Sequence, residues 1–214
     1  MSNDQFPSGG NLAAIVALKA TTLTPPIPLI FQLLVVPVTD NTASLSGKPH
    51  VSWKENANTA WLPPDRMIWF RKNYLPDQKD WTKWDSSPMF APHDLFAKAP
   101  KTWIGVGERD ILRDEGIAFG EKLTKAGVDV ETKIYKNAPH PIMAMDGRSY
   151  YTLYMLMFEL IKTNVHVIDL VIQGKCFFFL LPFIPSDSSP SALKVGKQLV
   201  DDATEALRKA LQTS

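Results

Sequence analysis

A strand–helix–strand pattern constrains the fold more than any other feature of the 214 residues. A buried strand is predicted over Thr102–Gly107 and a second strand over Val130–Tyr135. Between them the sequence predicts an amphipathic helix over Asp114–Ala126, with Gly127 as its C-terminal stop. An earlier apolar run, Pro28–Val38, has the composition of a strand covered on both faces. We therefore predict an α/β fold with a mostly parallel sheet and flanking helices.

Two further helices are predicted nearer the ends of the chain. Asn11–Ala20 is rich in Ala and Leu and predicts a buried helix entered from a turn at Gly9 and Gly10. Such a turn normally follows a strand, and the polar residues Met1–Phe6 are too few to form one, so we expect an incomplete sheet. Leu193–Leu211 carries its apolar residues mostly on one face and predicts a packing helix.

The charge balance and the motif content exclude several classes of function. The chain has 23 Lys and Arg against 22 Asp and Glu, a formal charge of +1, with no long run of like charges. A nucleic-acid partner is therefore not expected. The single Cys176 excludes an internal disulfide and, with no secretory signal visible, fits a cytoplasmic location. No HExxH, CxxC, P-loop or GxGxxG motif is present, so no metal or nucleotide cofactor is expected.

Two polar loops follow the two strands of the central pattern. The first contains Asp110, and the second contains His140, 140 − 110 = 30 positions further along. Because parallel strands end at the same sheet edge about 4.8 Å apart, these side chains can meet. A carboxylate that orients an imidazole is typical of a general base, whereas a surface Asp with an unrelated loop His is the alternative interpretation. The other histidines, His50, His93 and His166, have no such context and are interpreted as structural.

Aromatic residues are concentrated in one proline-containing segment, Val51–Asp85, which holds five of the six tryptophans. They could line an apolar ligand cavity, or they could form the core of a helical excursion packed over the sheet. The members of this group are Trp53, Trp61, Trp69, Trp81 and Trp84.

The chain resembles the α/β-hydrolase fold-3 group, the esterases and lipases similar to hormone-sensitive lipase, in a fungal-looking version. Asp110–Gly116 looks like the D-x-L-R-D-E-G loop of that group, whose first Asp is the triad acid. Asp85–Met89 is similar to its "SP" segment, and Pro139 with His140 matches the place of its catalytic His. Gly9–Ala13 looks like the end of the nucleophile elbow, G-[DS]-S-[AS]-G-G-N-L-A. The resemblance covers Gly9 to Gly147 and resumes near Ala192, and it implies serine-dependent hydrolysis of carboxylic esters without a cofactor.

The nucleophile segment departs from the family pattern. Aligning the two glycines places Pro7 at the nucleophile position, and Ser8 could serve only on an elbow shortened by one residue. The oxyanion-hole motif H-G-G-G occurs nowhere in the sequence. We therefore expect an N-terminally truncated member of the family with impaired catalysis, in which Asp110 and His140 are retained.

A second departure divides the chain into three parts. Residues 1–147 and 192–214 resemble the hydrolase domain and its last helix, whereas the 191 − 148 + 1 = 44 residues of Arg148–Ser191 resemble nothing in the family. This segment is either a translated intron or a genuine insertion forming an apolar helical flap or membrane-docking hairpin. Its most apolar part, Tyr150–Pro185, is not predicted to span a membrane, because charged residues leave no run of about 18 apolar positions.

Three functional hypotheses follow from these observations. The first is an esterase that acts on a small apolar ester, and the second is a non-catalytic remnant, or pseudoenzyme, that binds an apolar ligand or a partner. The third, weaker hypothesis is a peripheral membrane protein anchored through Tyr150–Pro185. An incomplete sheet also predicts self-association through an exposed edge strand.

Overall fold

The structure, a computed structural model, describes residues 6–142 and 190–212, which are organised around a three-stranded parallel sheet. The strands follow one another in the order β1-β2-β3, and they are joined by helical segments. The predicted α/β fold with a parallel sheet and flanking helices is therefore confirmed. The elements in chain order are α1 (Phe6–Ala20), β1 (Phe31–Val35), α2 (Ser52–Glu55), α3 (Pro64–Tyr74), α4 (His93–Phe96), β2 (Lys101–Gly107), α5 (Arg113–Lys125), β3 (Val130–Tyr135) and α6 (Pro190–Gln212).

The strands form where the sequence predicts them. In the register of the sheet, Leu34 of β1 lies beside Ile104 of β2, and Ile104 lies beside Thr132 of β3. Leu34 and Ile104 are fully buried, as expected for a sheet that is covered on both faces. Helix α5 connects β2 to β3 and is followed by Gly127, whose φ of +90° is the left-handed conformation common after helices.

Helices cover the two faces of the sheet. Successive residues of β2 point to opposite faces, so Trp103 packs against Leu199 of α6 while Ile104 packs against Phe119 of α5 and Leu18 of α1. The predicted C-terminal amphipathic helix is confirmed, and it begins at Pro190. Its buried residues are Leu199, Val200, Ala203, Ala206, Leu207 and Ala210.

The predicted glycine turn before the first helix is wrong, because Gly9 and Gly10 lie inside α1. Proline is tolerated in a first helical turn, whose N–H groups have no partner within the helix, so the helix begins earlier, at Phe6. The glycine at position 10 has a packing role instead. A Cβ there would lie 2.8 Å from Cα of Pro37, so only glycine lets α1 approach the end of β1 this closely.

The tryptophan-rich segment is a helical excursion between β1 and β2 that contains α2, α3, α4 and two short 3₁₀ turns, at Gln78–Asp80 and Pro88–Phe90. Its tryptophans do not share one environment. Trp53 is fully buried, whereas Trp61 is 42% exposed and Trp69 is 61% exposed. The segment thus matches the packed-excursion interpretation better than the interpretation in which all five rings line one cavity.

One edge of the sheet carries charged side chains. In the described part of the chain β3 pairs on one side only, with β2, and Glu131 and Lys133 lie along it. Charges on an edge strand oppose strand addition by another molecule. Self-association through this edge stays a prediction.

Several predictions fall outside the described residues. They concern Tyr150–Pro185, His166, Cys176 and all but the last two residues of Arg148–Ser191. Within ranges 6–142 and 190–212, no helix is both long enough and apolar enough to cross a membrane.

Candidate active site

The loop between β2 and α5 buries Asp110 and fixes both of its carboxylate oxygens. Asp110 is fully buried, and its Oδ1 accepts a hydrogen bond from the backbone N–H of Leu112 at 3.0 Å. Its Oδ2 lies 2.8 Å from Nδ1 of His140, which is 5% exposed. The two residues predicted to meet at the sheet edge are therefore in direct contact.

The two loops meet because their backbones are hydrogen-bonded to each other. The N–H of Glu108 donates to the carbonyl of Tyr135, and the N–H of Arg109 donates to that of Ala138, both at 2.9 Å. Gly107 completes the contact, because a Cβ at this position would lie 2.5 Å from the carbonyl oxygen of Ala138. The distance between Asp110 and His140 is consequently set by main-chain contacts as well as by the side chains.

The hydrogen bond to Asp110 determines which nitrogen of His140 can take up a proton. A carboxylate accepts the Nδ1–H, which leaves the lone pair of the neutral ring on Nε2. Among the described residues, Nε2 of His140 is buried and has no hydrogen-bond partner. The arrangement can therefore accept a proton from a group that approaches Nε2.

The N-terminal half of α1 lies near the same sheet edge. Gly10 packs against Pro37, two residues beyond the end of β1, and the buried Asn11 donates from Nδ2 to the carbonyls of Val38 and Ser86, both at 2.9 Å. The backbone of Pro7 and Ser8 belongs to the preceding, first turn of this helix. The nucleophilic role of Ser8 stays a prediction.

A second buried Asp–His pair, Asp40 and His50, lies in the loop region after β1. Nε2 of His50 is 3.0 Å from Oδ2 of Asp40, and Oδ1 of Asp40 accepts hydrogen bonds from the N–H and hydroxyl of Thr42. The expectation that His50 has no such context is therefore wrong, because the loop after β1 places a carboxylate beside it. His93, in contrast, is exposed.

The hydrogen bonds of this second pair determine its charge state. Burial acts to raise the pKa of Asp40, but the bonds from His50 and Thr42 outweigh it and lower the pKa. Burial acts to lower the pKa of His50, but its bond to Asp40 and the charge of Glu115 outweigh it and raise the pKa. Both shifts favour an ionised carboxylate beside a protonated imidazole.

Glu115 is a fully buried carboxyl group that joins three parts of the site. Its Oε1 accepts from the N–H of Thr39 at 2.8 Å and of Asp40 at 3.3 Å, and its Oε2 accepts from Nε1 of Trp53 at 3.1 Å. Burial raises its pKa from 4.5 to about 7. Sequence reasoning identified Glu115 only as part of a motif, because its partners are far away in the chain.

Arg71 is a buried cation beside this cluster. Its guanidinium lies over the ring of Trp53 at 5.1 Å and over that of Trp81 at 5.0 Å, and its Nη1 donates to the carbonyl of Ala43 at 2.8 Å. The two tryptophans thus hold a charge that helps to fix α3. In the described ranges no group of three or more Asp, Glu, His or Cys side chains is arranged to hold a metal ion.

A family model described as "alpha/beta hydrolase fold" matches residues 7–144. The chain belongs to this family, which confirms the predicted resemblance. The match includes the loops of Asp110 and His140 and the turn that contains Ser8.

Curated relatives and solved structures agree with this assignment. An AB hydrolase superfamily protein of Schizosaccharomyces pombe is 46% identical over 141 residues, which are 65% of this chain and 41% of the relative. Carboxylesterase NlhH of Mycobacterium tuberculosis is 38% identical over 126 residues, 58% of this chain and 37% of the relative. A thermostable esterase from Pseudomonas putida is 28% identical with a TM-score of 0.65, covering 94% of this chain and 48% of the esterase. The chain thus spans less than half the length of these proteins.

Proposed function

We propose that this chain carries the acid and base of a carboxylic-ester hydrolase, with Asp110 as the acid and His140 as the base. The observation that supports the proposal most directly is the 2.8 Å contact between Nδ1 of His140 and Oδ2 of Asp110, in a buried site whose Nε2 is unpartnered among the described residues. The relatives named as esterases support the same chemistry.

In the proposed reaction a serine hydroxyl attacks the acyl carbon of an ester. Nε2 of His140 accepts the hydroxyl proton and then donates it to the departing alkoxide, while Asp110 holds the ring and stabilises its positive charge. Water then attacks the acyl-serine, giving up its proton to Nε2, which returns it to the serine. Ser8 is the candidate nucleophile, because its backbone lies in α1 two residues before Gly10, which packs against Pro37 beyond the end of β1.

The substrate class proposed is a small apolar ester, and no cofactor takes part in the reaction. The family resemblance supports this class, since an acyl-serine route needs only the serine, the base and the acid. A cytoplasmic location is the accompanying proposal, supported by the single cysteine. Cell fractionation tests the location, and turnover of nitrophenyl esters of graded chain length tests the substrate class.

The experiment that tests the proposal is labelling of the purified protein with a fluorophosphonate, which forms a covalent bond with an activated serine. Because Pro7 disrupts the family's nucleophile pattern, we expect slow labelling, and both Ser8→Ala and His140→Ala should abolish it. Labelling retained in Ser8→Ala would assign the nucleophile to another residue. A folded wild-type chain that takes up no label would contradict an active hydrolase.

The second candidate function is a non-catalytic remnant that binds an apolar ligand or a partner. Pro7 at the family's nucleophile position favours it, because proline has no hydroxyl. Under this alternative the folded chain takes up no fluorophosphonate but binds an apolar fluorescent probe in a saturable manner.

The proposed domain division is 1–147, 148–191 and 192–214. The family match, which ends at residue 144, and the packing of α6 against the sheet support it.

Comparison of the transcript with genomic DNA tests the intron hypothesis for Arg148–Ser191, since a transcript that retains the segment would contradict it. Light scattering tests self-association through an exposed sheet edge, and vesicle flotation tests membrane contact; a monomer that does not float would contradict both.

A further inference from the structure

The segment that follows the second Asp–His pair is hydrogen-bonded along the whole loop that carries Asp110. We call Ser52–Thr59 the clamp segment, since its side chains donate to four consecutive backbone carbonyls. Ser52 Oγ donates to the carbonyl of Ile111 at 2.6 Å, and Thr59 Oγ1 donates to that of Arg109 at 2.5 Å. The remaining two carbonyls are those of Glu108 and Asp110, and both accept from one side chain.

That side chain is Asn56, which follows the last residue of α2. Its Nδ2 donates to the carbonyl of Asp110 at 3.0 Å and to that of Glu108 at 3.2 Å. One amide group thus bridges two carbonyls on either side of Arg109, and the second of them belongs to the acid itself. Asn56 is itself fixed, because its backbone N–H donates to the carbonyl of Ser52 at 2.9 Å.

The rest of the clamp segment is tied to the start of α5. The N–H of Ser52 donates to Oδ2 of Asp114 at 2.7 Å, and Nη2 of Arg113 donates to Oε2 of Glu55 at 2.7 Å. The clamp segment therefore contacts the Asp110 loop at its beginning, middle and end, on elements separated by about fifty residues of sequence.

We propose that Asn56 is a positioning residue for the Asp110–His140 pair. Its side chain donates to backbone carbonyls and not to the carboxylate of Asp110 or the imidazole of His140. It acts by holding the backbone carbonyls of Glu108 and Asp110, which fix the backbone from which the Asp110 side chain projects. Without it, each of these carbonyls keeps one donor, Nη1 of Arg113 for Glu108 and the N–H of Arg113 for Asp110, so the loop is held less firmly. The inference rests on the proposed function only in calling the pair an acid and a base, because the positioning itself is a property of the folded chain.

The test is proton and nitrogen NMR of the full chain labelled at histidine. A ring N–H held by a buried carboxylate gives a downfield resonance, and the described residues include two such pairs, His140–Asp110 and His50–Asp40. The two signals are assigned with His140→Gln and His50→Gln. In Asn56→Ala we expect the His140 proton to exchange with water about tenfold faster, the order expected from loss of one or two net hydrogen bonds. The His50 signal should be unchanged.

Two further variants complete the test. Asn73→Ala is the matched control, because Asn73 is an exposed asparagine whose side chain donates to the carbonyl of Trp69 within its own helix. Both histidine signals should keep their wild-type exchange rates. If Asn56→Ala loses both signals through unfolding, Asn56→Ser, which keeps one donor, should retain the His50 signal and still speed exchange at His140. An unchanged His140 exchange rate in every folded Asn56 variant would overturn the inference.

This readout does not depend on turnover. Faster exchange at His140 in a chain that takes up no fluorophosphonate would support the positioning role while contradicting the esterase proposal. Fluorophosphonate labelling of the wild type, together with unchanged His140 exchange in the Asn56 variants, would support the esterase proposal and contradict the positioning role.

Discussion

The free energy of unfolding of the wild type should fall as the pH rises from weakly acidic to weakly alkaline. Glu115→Gln should lack this fall. The carboxyl group is fully buried, and burial raises its pKa from 4.5 to about 7. Between these two values the folded chain holds a proton that the unfolded chain has released, so rising pH favours unfolding. The stabilisation is full below pH 4.5 and is lost as the pH rises through about 7.

The size of the effect follows from the same two values. At about 1.4 kcal/mol per pH unit, a pKa that rises from 4.5 to about 7 on folding corresponds to about 3 kcal/mol of unfolding free energy. Glutamine has no titrating proton, so Glu115→Gln should lack this part of the pH dependence. Its absolute stability also changes, because an amide nitrogen at the Oε2 position would face the N–H of Trp53.

The assay is urea unfolding followed by tryptophan fluorescence at intervals from about pH 4 to about pH 8, a range that brackets the window of this titration. The matched control is Glu121→Gln, which changes a glutamate on the same helix whose side chain is 62% exposed. The control should follow the wild-type dependence, whereas Glu115→Gln should give a flatter one. Parallel curves for the wild type and Glu115→Gln would refute the reasoning.

Three further substitutions test the packing of the sheet. Leu199→Ala removes a fully buried side chain beneath β2 and should lower the unfolding free energy by about 2–5 kcal/mol in urea; a loss below about 1 kcal/mol would contradict its place in the core. Tyr135→Phe removes the 2.9 Å hydrogen bond to Asp202 that ties β3 to α6. It should lower the unfolding free energy by about 1 kcal/mol in the same assay, and an unchanged value would contradict this role. Gly107→Ala places a methyl group against Ala138, where a Cβ would lie 2.5 Å from the carbonyl, and should weaken the downfield signal of the buried Asp–His contact by NMR; an intact signal would show that the loops can adjust.

The sheet and the Asp110–His140 pair could be predicted from sequence because both follow from local patterns. Apolar runs identified β1 and β2, a shorter strand pattern identified β3, and parallel strands end at one edge whatever the connecting elements do. The contact between Asp110 and His140 needs only this rule, since each residue follows its strand within a few positions. Leu199 and Leu207 were likewise predictable, from helical periodicity alone.

The remaining parts of the site depend on segments without a regular pattern. Glu115 meets Thr39 and Trp53 across 76 and 62 positions, and no periodicity in the excursion after β1 indicates these contacts. Asn56 lies just after a helix of four residues, too short to give a periodic signal. The start of α1 was misplaced for a different reason, since two adjacent glycines indicate a turn unless close packing requires them.

The docking of α6 on the sheet has a consequence for the chain that precedes it. The 47 residues from 143 to 189 separate the last described residue before α6 from the helix itself. The entropy of closing a flexible loop grows only with the logarithm of its length, so each doubling costs about 0.6 kcal/mol. A tenfold longer flexible connection would therefore cost on the order of 2 kcal/mol, whereas burial of one leucine contributes about 1.5–3 kcal/mol. With Leu199 and Leu207 both buried in the interface, the helix remains the favoured cover for this face across a wide range of connection lengths.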